Sequence, residues 1–226
     1  HRQYGEGSGT KAQRPVMPRI LSDTESETLR EAVRLLRDGG VIAYPTETFY
    51  GLGADAGNET AVRRIFSIKG RDFRNPIPLI IGEERILPHY AAEIPKAATP
   101  LIKALWPGPL TLIFRAAARV NRLLTGGTGK IGLRLSSHTV ASSLARSLDG
   151  ALTSTSANVS GEAECSSAAE VIDRIGDRID LIVDGGATAG KAASTIVDVT
   201  VDPPVILREG AVSSGLIRQI LSGKTA

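Results

Sequence analysis

The chain has 226 residues, of which 42% are hydrophobic, 23% charged and 4% aromatic, and its formal net charge is +3. This balance is typical of a globular protein with a sizeable core, and the length suits one large α/β domain or two small ones. So few aromatic side chains argue against stacking platforms for single-stranded nucleic acid. The one cysteine, Cys165, excludes an internal disulfide and a multi-cysteine zinc site, and it favours a cytoplasmic location.

The positive charge is concentrated in residues 1–19, which hold four basic residues and one acidic residue. Residues 20–226 are therefore neutral overall, and the basic pI is only weak support for a nucleic-acid-binding surface. Because residues 1–19 are also polar and glycine-rich, we predict a flexible basic tail over 1–19, followed by a single domain over 20–226. No apolar run approaches the roughly 20 residues of a membrane span, and the first residues lack a signal-peptide pattern.

Apolar residues at helical spacing over 29–36 predict a first helix, with a capping box at Thr24-x-x-Glu27 and a stop at Gly39-Gly40. Further helices are predicted over 58–69 with Asn58 as cap, 100–105 with Thr99 as cap, 139–148, 168–175 and 214–221. Strands are predicted over 41–44, 77–81, 110–114, 130–135, 151–153, 181–183, 195–201 and 205–207. Because the two types intermix without a regular βαβ period, we predict an α/β fold with a mixed, twisted sheet covered by helices.

The segment Gly185–Lys191 matches G-x-x-x-x-G-K, the pattern of a phosphate-binding P-loop. The next residue is Ala192, so the hydroxyl that would bind Mg²⁺ is missing. The β-branched residues over 195–199 predict a strand, whereas a P-loop requires a helix whose N-terminus receives the phosphate. We therefore predict only a glycine-rich turn between strands.

Covalent hydrolase chemistry is not indicated either. The chain has no G-x-S-x-G motif, and its histidines, His1, His89 and His138, have no evident serine or cysteine partner. His138 is predicted to cap a helix and His89 to lie in a loop. Metal-ligand spacing is absent, so we predict no protein metal site and no covalent nucleophile.

Two short stretches have the composition of an anion site. Lys69-Gly70-Arg71 provides two cations at a helix end, and Thr153–Asn158 provides hydroxyls, an amide side chain and loop N–H groups. Together they could hold a polyanion such as a nucleotide triphosphate. Each stretch also has a simpler explanation when it is taken singly. Lys69 and Arg71 could be solvated cations favoured by the dipole at a helix C-terminus, and Thr153–Asn158 could be an ordinary polar loop.

An ordered series of short motifs surrounds these stretches and gives them a context. The motifs are Tyr44-Pro45-Thr46-Glu47-Thr48-Phe49-Tyr50-Gly51-Leu52-Gly53, Lys69-x-Arg71, Pro76-x-Pro78-Leu79, Pro107-Gly108-Pro109-Leu110-Thr111, Gly132-Leu133-Arg134, Ser156-Ala157-Asn158-Val159-Ser160-Gly161, Ser194-Thr195-Ile196-Val197-Asp198 and Leu207-Arg208-Glu209-Gly210. In this order they resemble the YrdC-like family of threonylcarbamoyl-AMP synthases over residues 22–212. The chain departs from the family pattern at Asp72, where proline is usual, and at Ser136–Thr139, where prolines often flank the histidine.

The resemblance implies a YrdC-like fold, a twisted open mixed sheet flanked by helices around a large concave cleft, in the short single-domain form. It also implies an enzyme, a nucleotidyltransferase that makes threonylcarbamoyl-AMP and pyrophosphate from L-threonine, bicarbonate or CO₂, and ATP. Mg²⁺ would be carried on the ATP phosphates. The product would pass to a tRNA threonylcarbamoyl transferase machinery for modification of tRNA adenosine 37, and direct contact with RNA or tRNA is left open.

Site residues are likewise implied by the resemblance, motif by motif. Those matching ATP-binding positions are Lys69, Arg71, Asn158, Ser166, Arg208 and, as a weaker match, Thr111. Those matching threonine-binding positions are Thr46, Arg134, Ser156 and Ser194. Two alternatives remain: an RNA-binding or ribosome-assembly module that uses the same cleft, and a carbamoyl-adenylate enzyme with another acceptor.

Overall fold

The computed structural model describes residues 17–223, and in this range the chain forms a mixed α/β fold. The strands are β1 (Arg19–Ser22), β2 (Ile42–Tyr44), β3 (Gly51–Gly53), β4 (Leu79–Ile81), β5 (Leu110–Arg115), β6 (Lys130–Arg134), β7 (Ala151–Thr153), β8 (Thr155–Ser156), β9 (Leu181–Asp184), β10 (Thr195–Asp198) and β11 (Val205–Arg208). The helices are α1 (Thr28–Arg37), α2 (Glu59–Lys69), α3 (Leu87–Tyr90), α4 (Ala98–Leu105), α5 (Arg122–Thr125), α6 (Thr139–Ser147), α7 (Ala168–Ile175) and α8 (Ser214–Leu221).

The strands form two mixed sheets. The five-stranded sheet has the order β1-β9-β2-β3-β8, and the six-stranded sheet has the order β11-β10-β5-β6-β4-β7. In the first, β9 runs parallel to β1 and β2, and β3 runs antiparallel to β2 and β8. In the second, β5 runs parallel to β10 but antiparallel to β6, whereas β4 runs parallel to β6 but antiparallel to β7. The predicted mixed topology is thus confirmed, with the strands divided between two sheets.

The two sheets meet where β7 passes into β8. The Thr153 N–H donates to the Ala54 carbonyl over 3.0 Å, and the Ala54 N–H donates to the Thr153 hydroxyl over 2.8 Å. The Tyr44 hydroxyl donates to the Thr153 carbonyl over 2.8 Å. A Cβ added at Gly51 or Gly53 would lie 2.8 Å from the Tyr44 ring, so glycine allows this ring to cross the sheet. The segment 151–156 therefore belongs to both sheets and fixes their relative position.

Apolar side chains fill the interior on both sides of these sheets. The larger buried cluster joins α2, α4, α7 and α8 to strands of both sheets, and a smaller cluster lies between α1, α6 and β9. Burial of such surface is the main source of stability in a fold of this size. The arrangement leaves the ends of β3 and β8 facing the strands β5, β6, β10 and β11 across a cleft. A concave cleft is what the family resemblance implied.

Most predicted elements are confirmed, and α7 and α8 have the predicted bounds. Asn58 caps α2 by accepting from the Ala61 N–H, and His138 caps α6 by accepting from the Val140 N–H. The predicted cap at Thr24 is wrong, because α1 begins at Thr28 without a side-chain cap.

Other local predictions need correction. The cap at Thr99 is wrong, since that residue lies inside α4, and His89 lies in α3 rather than in a loop. The segment 195–201 is a strand only as far as Asp198, where β10 ends. Residues 1–16 of the predicted tail lie outside the described residues, and Arg19 is the first residue of β1. Within residues 17–223, none of the helices has the length and apolar composition needed to cross a membrane.

Candidate functional site

A cavity of about 300 Å³ opens in the cleft, and it brings most of the predicted site residues together. Seven of the ten line it: Thr46, Arg71, Thr111, Arg134, Ser156, Ser194 and Arg208. A second, more open recess adjoins it and is lined by two of the remaining three, Lys69 and Asn158. Arg71 and Ser156 line both spaces, so the cavity and the recess form one continuous site.

Ser166 is the predicted residue that the structure does not bring to this site. It lines neither the cavity nor the recess, and both its N–H and its hydroxyl donate to the Glu170 carboxylate, over 2.7 and 3.3 Å. Its carbonyl accepts from the Thr188 N–H. In this arrangement Ser166 joins the start of α7 to the loop before β10.

Arg134 is the most buried cation of the cavity. It ends β6, its side chain is only 6% exposed, and both Nε and Nη2 donate to Oε1 of Glu47, over 3.1 and 2.6 Å. Nη2 also donates to the Thr48 hydroxyl over 3.3 Å, and the Ser136 hydroxyl donates to the other Glu47 oxygen. These contacts fix the plane of the guanidinium while its Nη1 edge has no partner among the described residues. A fixed guanidinium with free donors is suited to bidentate binding of a carboxylate.

Glu47 was not among the predicted site residues, although it lies inside the first motif. Burial alone would raise the pKa of the Glu47 carboxyl, but the Arg134 charge and the Ser136 hydrogen bond outweigh burial and lower the pKa. Glu47 is therefore an anion at neutral pH and holds Arg134 in place. The sequence held one signal for this role: Glu47 is a carboxylate between two threonines, Thr46 and Thr48, in a motif that otherwise offers hydroxyls.

The loop between β2 and β3 presents two threonine hydroxyls next to this pair. Thr46 donates to the Phe49 carbonyl over 2.6 Å and accepts from the Thr48 N–H over 3.1 Å, which closes a tight turn. The two hydroxyls are 3.0 Å apart, and both side chains are buried. This turn holds Thr46 and Thr48 at the end of the cavity that contains Arg134.

Lys69 joins the two stretches that the sequence singled out. Its side chain is buried at the end of α2, and Nζ donates to the Ser156 carbonyl at 2.6 Å, the Asn158 carbonyl at 2.9 Å and Asn158 Oδ1 at 2.8 Å. Burial and the neighbouring Arg71 lower the pKa of Lys69 to about 8. Three oxygens around one nitrogen still suit an ammonium with three donors better than a neutral amine. Lys69 therefore braces the loop that carries Ser156 and Asn158.

Arg71 faces the shared part of the site with unused donor capacity. Gly70 has a left-handed φ of 57° that ends α2 and turns the chain. Arg71 Nη2 then donates to the Pro76 carbonyl over 2.6 Å, and Nη1 donates to the Thr155 hydroxyl over 3.3 Å. Within residues 17–223 its Nε has no hydrogen-bond partner, and burial lowers the pKa of the guanidinium. Because Arg71 lines both the cavity and the recess, its positive charge favours an anionic ligand there.

The opposite wall of the cavity is built by β5, β10 and β11. The hydroxyls of Thr111, on β5, and Ser194, immediately before the paired strand β10, are 3.0 Å apart. Arg208 on β11 donates from Nε and Nη2 to the Ser194 carbonyl, over 3.0 and 2.8 Å. This wall therefore adds a third guanidinium and two hydroxyls, held by sheet pairing.

The P-loop-like segment Gly185–Lys191 is absent from the cavity and the recess. It connects β9 to β10 without regular structure, and a strand follows it. The interpretation as a glycine-rich turn is confirmed. Within residues 17–223, no group of three or more His, Cys, Asp and Glu side chains is placed to hold a metal ion.

The geometry is suited to binding two anionic groups side by side and to stabilising negative charge that develops between them. Arg134 and Arg71 have separate partners and line one cavity, with serine and threonine hydroxyls between them. Preorganised cations and hydroxyls of this kind stabilise charge at a phosphoryl or acyl centre without a covalent nucleophile.

Comparison with known proteins agrees with the motif resemblance. The Sua5/YciO/YrdC family model, described as "Telomere recombination", matches residues 34–210. A protein of Pyrococcus abyssi named threonylcarbamoyl-AMP synthase is 39% identical over 87% of this chain and 58% of its own length. A protein of the same name from Halorhodospira halophila is 43% identical over 70% of this chain and 82% of its own length.

A solved structure supports the same relationship. P. abyssi Sua5 complexed with L-threonine superposes with a TM-score of 0.86 at 37% identity, covering 91% of this chain and 61% of that one. The chain thus spans less than two thirds of the Pyrococcus protein. The motif resemblance is confirmed: this chain belongs to the Sua5/YciO/YrdC family.

Proposed function

We propose that this protein is an L-threonylcarbamoyladenylate synthase, which forms threonylcarbamoyl-AMP and pyrophosphate from L-threonine, bicarbonate or CO₂, and ATP. The relatives that carry this name, and the related structure with bound L-threonine, support the proposal. The observation that carries it is the presence in one cavity of two guanidinium groups, the buried Arg134 and the half-buried Arg71, each fixed by its own partners. One suits an amino-acid carboxylate and the other a phosphate.

The proposed reaction has two bond-forming steps. The threonine amine attacks CO₂ and loses a proton, which gives a carbamate. A carbamate oxygen then bonds to the α-phosphorus of ATP while the bond to the bridging oxygen breaks and pyrophosphate leaves. Both steps gain from holding the reactants in line, and the second gains from cations around the phosphates.

The roles of the residues follow their positions in the cleft. Arg134 binds the threonine carboxylate, because its guanidinium lies beside the Thr48 hydroxyl, which is 3.0 Å from the Thr46 hydroxyl. Ser194 completes this end, and Ser156 lies between threonine and nucleotide, since it lines both spaces. Residues proposed for the ATP side are Lys69, Arg71, Asn158, Arg208, Thr111 and, only through the loop it supports, Ser166.

Lys69 acts on this side mainly through the Ser156–Asn158 loop, because its donors are occupied there. Mg²⁺ would enter on the ATP phosphates. When bound, it would supply charge neutralisation of the departing pyrophosphate. We also propose that residues 20–226 act as one catalytic domain and that the product is used by a tRNA-modifying transferase.

The test is the release of pyrophosphate from ATP by the purified chain. We expect release that requires both L-threonine and bicarbonate, with the adenylate product identified by mass spectrometry. Folded protein that releases no pyrophosphate under these conditions would refute the proposal. Turnover with carbamoyl phosphate but not threonine would favour the enzyme with another acceptor. Tight, salt-sensitive RNA binding without turnover would favour the RNA-binding module.

A further inference from the structure

A carboxylate lies in the part of the cleft where the cavity and the recess meet. Glu164 lines both spaces, together with Arg71 and Ser156. It is half-buried, and within residues 17–223 its carboxylate accepts no hydrogen bond and forms no ion pair. Every other carboxylate named in this cleft has a protein partner, as Glu47 does, so the oxygens of Glu164 are available to a ligand that enters the cleft.

The cations near Glu164 do not satisfy it. Lys69 and Arg208 act on it only through their charge, since Lys69 donates to Ser156 and Asn158, and Arg208 donates to Ser194. Burial raises the pKa of Glu164, and the two cations oppose this rise. The carboxylate therefore remains an acceptor that the described part of the chain leaves unused.

Such a group conflicts with the proposed triphosphate unless something lies between them. A carboxylate facing the same space as Arg71 repels a metal-free triphosphate and weakens its binding. Mg²⁺ removes the conflict, because it prefers oxygen ligands and is usually held by one or two carboxylates together with substrate phosphates. A single free carboxylate beside a phosphate-binding arginine fits that donor set, and the described residues offer no larger acidic cage.

We infer that Glu164 binds the Mg²⁺ that ATP carries into the cleft, directly or through one bound water, and thereby selects the metal-loaded nucleotide over metal-free ATP. The inference rests on the proposed function, because it assumes that ATP occupies the space beside Arg71. Glu164 is thus proposed as a specificity-determining residue on the nucleotide side of the site.

The experiment measures ATP binding by calorimetry, with excess Mg²⁺ and with EDTA, for the wild-type chain and for Glu164→Gln. We expect Glu164→Gln to bind metal-free ATP more tightly than wild type and to bind MgATP more weakly. The dissociation constant for metal-free ATP divided by that for MgATP should therefore fall by roughly tenfold or more, because one negative charge close to the metal is lost. L-Threonine binding should not change.

Glu162→Gln is the matched control, because it removes the same charge from the same loop. Glu162 lies at the rim of the recess, but its carboxylate pairs with Arg174 at 3.3 Å and is about half exposed. We expect the wild-type dependence on Mg²⁺ in this variant. An equal change in both variants would reduce the effect to general charge and overturn the inference.

Other results would overturn it in distinguishable ways. If Glu164→Gln weakened ATP equally with and without Mg²⁺, the carboxylate would accept from a ribose hydroxyl or the adenine amine instead. If only threonine binding weakened, it would pair with the threonine ammonium. If the wild-type chain binds ATP and Glu164→Gln has the same ratio of dissociation constants, the inference about Glu164 is refuted while the proposed function stands. A wild-type chain that binds no ATP in either condition would refute the proposed function, and this inference with it.

Discussion

Replacing Glu47 by glutamine tests how the cleft holds Arg134. Two guanidinium donors and the Ser136 hydroxyl converge on this carboxylate, whose side chain is 16% exposed, and Arg134 is 6% exposed. Glu47→Gln keeps the size of the side chain and removes its charge. Arg134 then retains a buried positive charge without a counter-ion, and we expect the fold to lose stability.

The expected loss follows from the geometry of the pair. Removing one partner of a buried ion pair costs about 3–5 kcal/mol, because the remaining charge is uncompensated. The glutamine carbonyl can still accept one hydrogen bond from Arg134, which offsets about 1 kcal/mol. We therefore expect the free energy of unfolding to fall by about 2–4 kcal/mol at pH 7, measured by urea denaturation.

The loss should depend on pH, with a sign fixed by the lowered pKa of Glu47. A carboxyl whose pKa is lower in the folded state stabilises the fold fully above its ordinary pKa, here 4.5. This stabilisation disappears as the pH falls through the lower, folded value. The difference between wild type and Glu47→Gln should therefore be constant near neutrality and shrink progressively below about pH 4.5.

Glu93→Gln provides the control for loss of charge alone. Glu93 pairs with Arg115 at 3.4 Å, and both side chains are more than 60% exposed, so we expect less than about 1 kcal/mol. A Glu47→Gln loss no larger than that of the control, or a loss equal at pH 7 and pH 3.5, would refute the argument that Arg134 depends on a buried counter-ion.

Three further predictions follow from the same contacts. Arg71→Ala should weaken ATP binding by roughly tenfold or more and leave threonine binding intact, whereas Arg134→Ala should weaken threonine binding and leave ATP binding intact. Calorimetry with each ligand tests both variants. An unchanged threonine affinity in Arg134→Ala would show that the role of Arg134 is misassigned. Lys69→Met should leave three buried acceptors unpaired and destabilise the fold by about 2–4 kcal/mol, and urea unfolding indistinguishable from wild type would contradict the bracing role. Asn58→Ala should cost about 1 kcal/mol through loss of the α2 cap, whereas an unchanged urea midpoint would show that packing alone fixes this helix start.

Local patterns predicted the elements whose causes are local. The Asn58 cap and the stop at Gly70 involve contacts within three or four residues, and both are found as predicted. The Thr24 capping box failed: the Thr24 hydroxyl lies 2.8 Å from the Ser22 hydroxyl, and α1 begins only at Thr28, without a side-chain cap. A matching motif does not reveal such competition between neighbouring side chains.

Elements made by distant pairing were missed. β3 consists of two glycines around Leu52, a composition that does not favour a strand, and it exists because Tyr44 packs across those glycines. β8 has only two residues, which pair with β3. Glu47 and Arg134 are 87 positions apart, so a single sequence likewise could not reveal that they form an ion pair. Their residue types were visible in the motifs, but their partners were not.

Lys69 and Arg71 are two residues apart, and the structure separates their tasks. Nζ of Lys69 has three short contacts to oxygens of Ser156 and Asn158, so a phosphate could gain this ammonium only by displacing them. Arg71 is turned by Gly70 to the space that the cavity and the recess share, and among residues 17–223 its Nε has no hydrogen-bond partner. If ATP binds as proposed, Arg71 provides the direct phosphate contact and Lys69 shapes the loop that faces it. The variants should therefore differ in kind, because loss of Arg71 affects one ligand and loss of Lys69 affects the fold and both ligands.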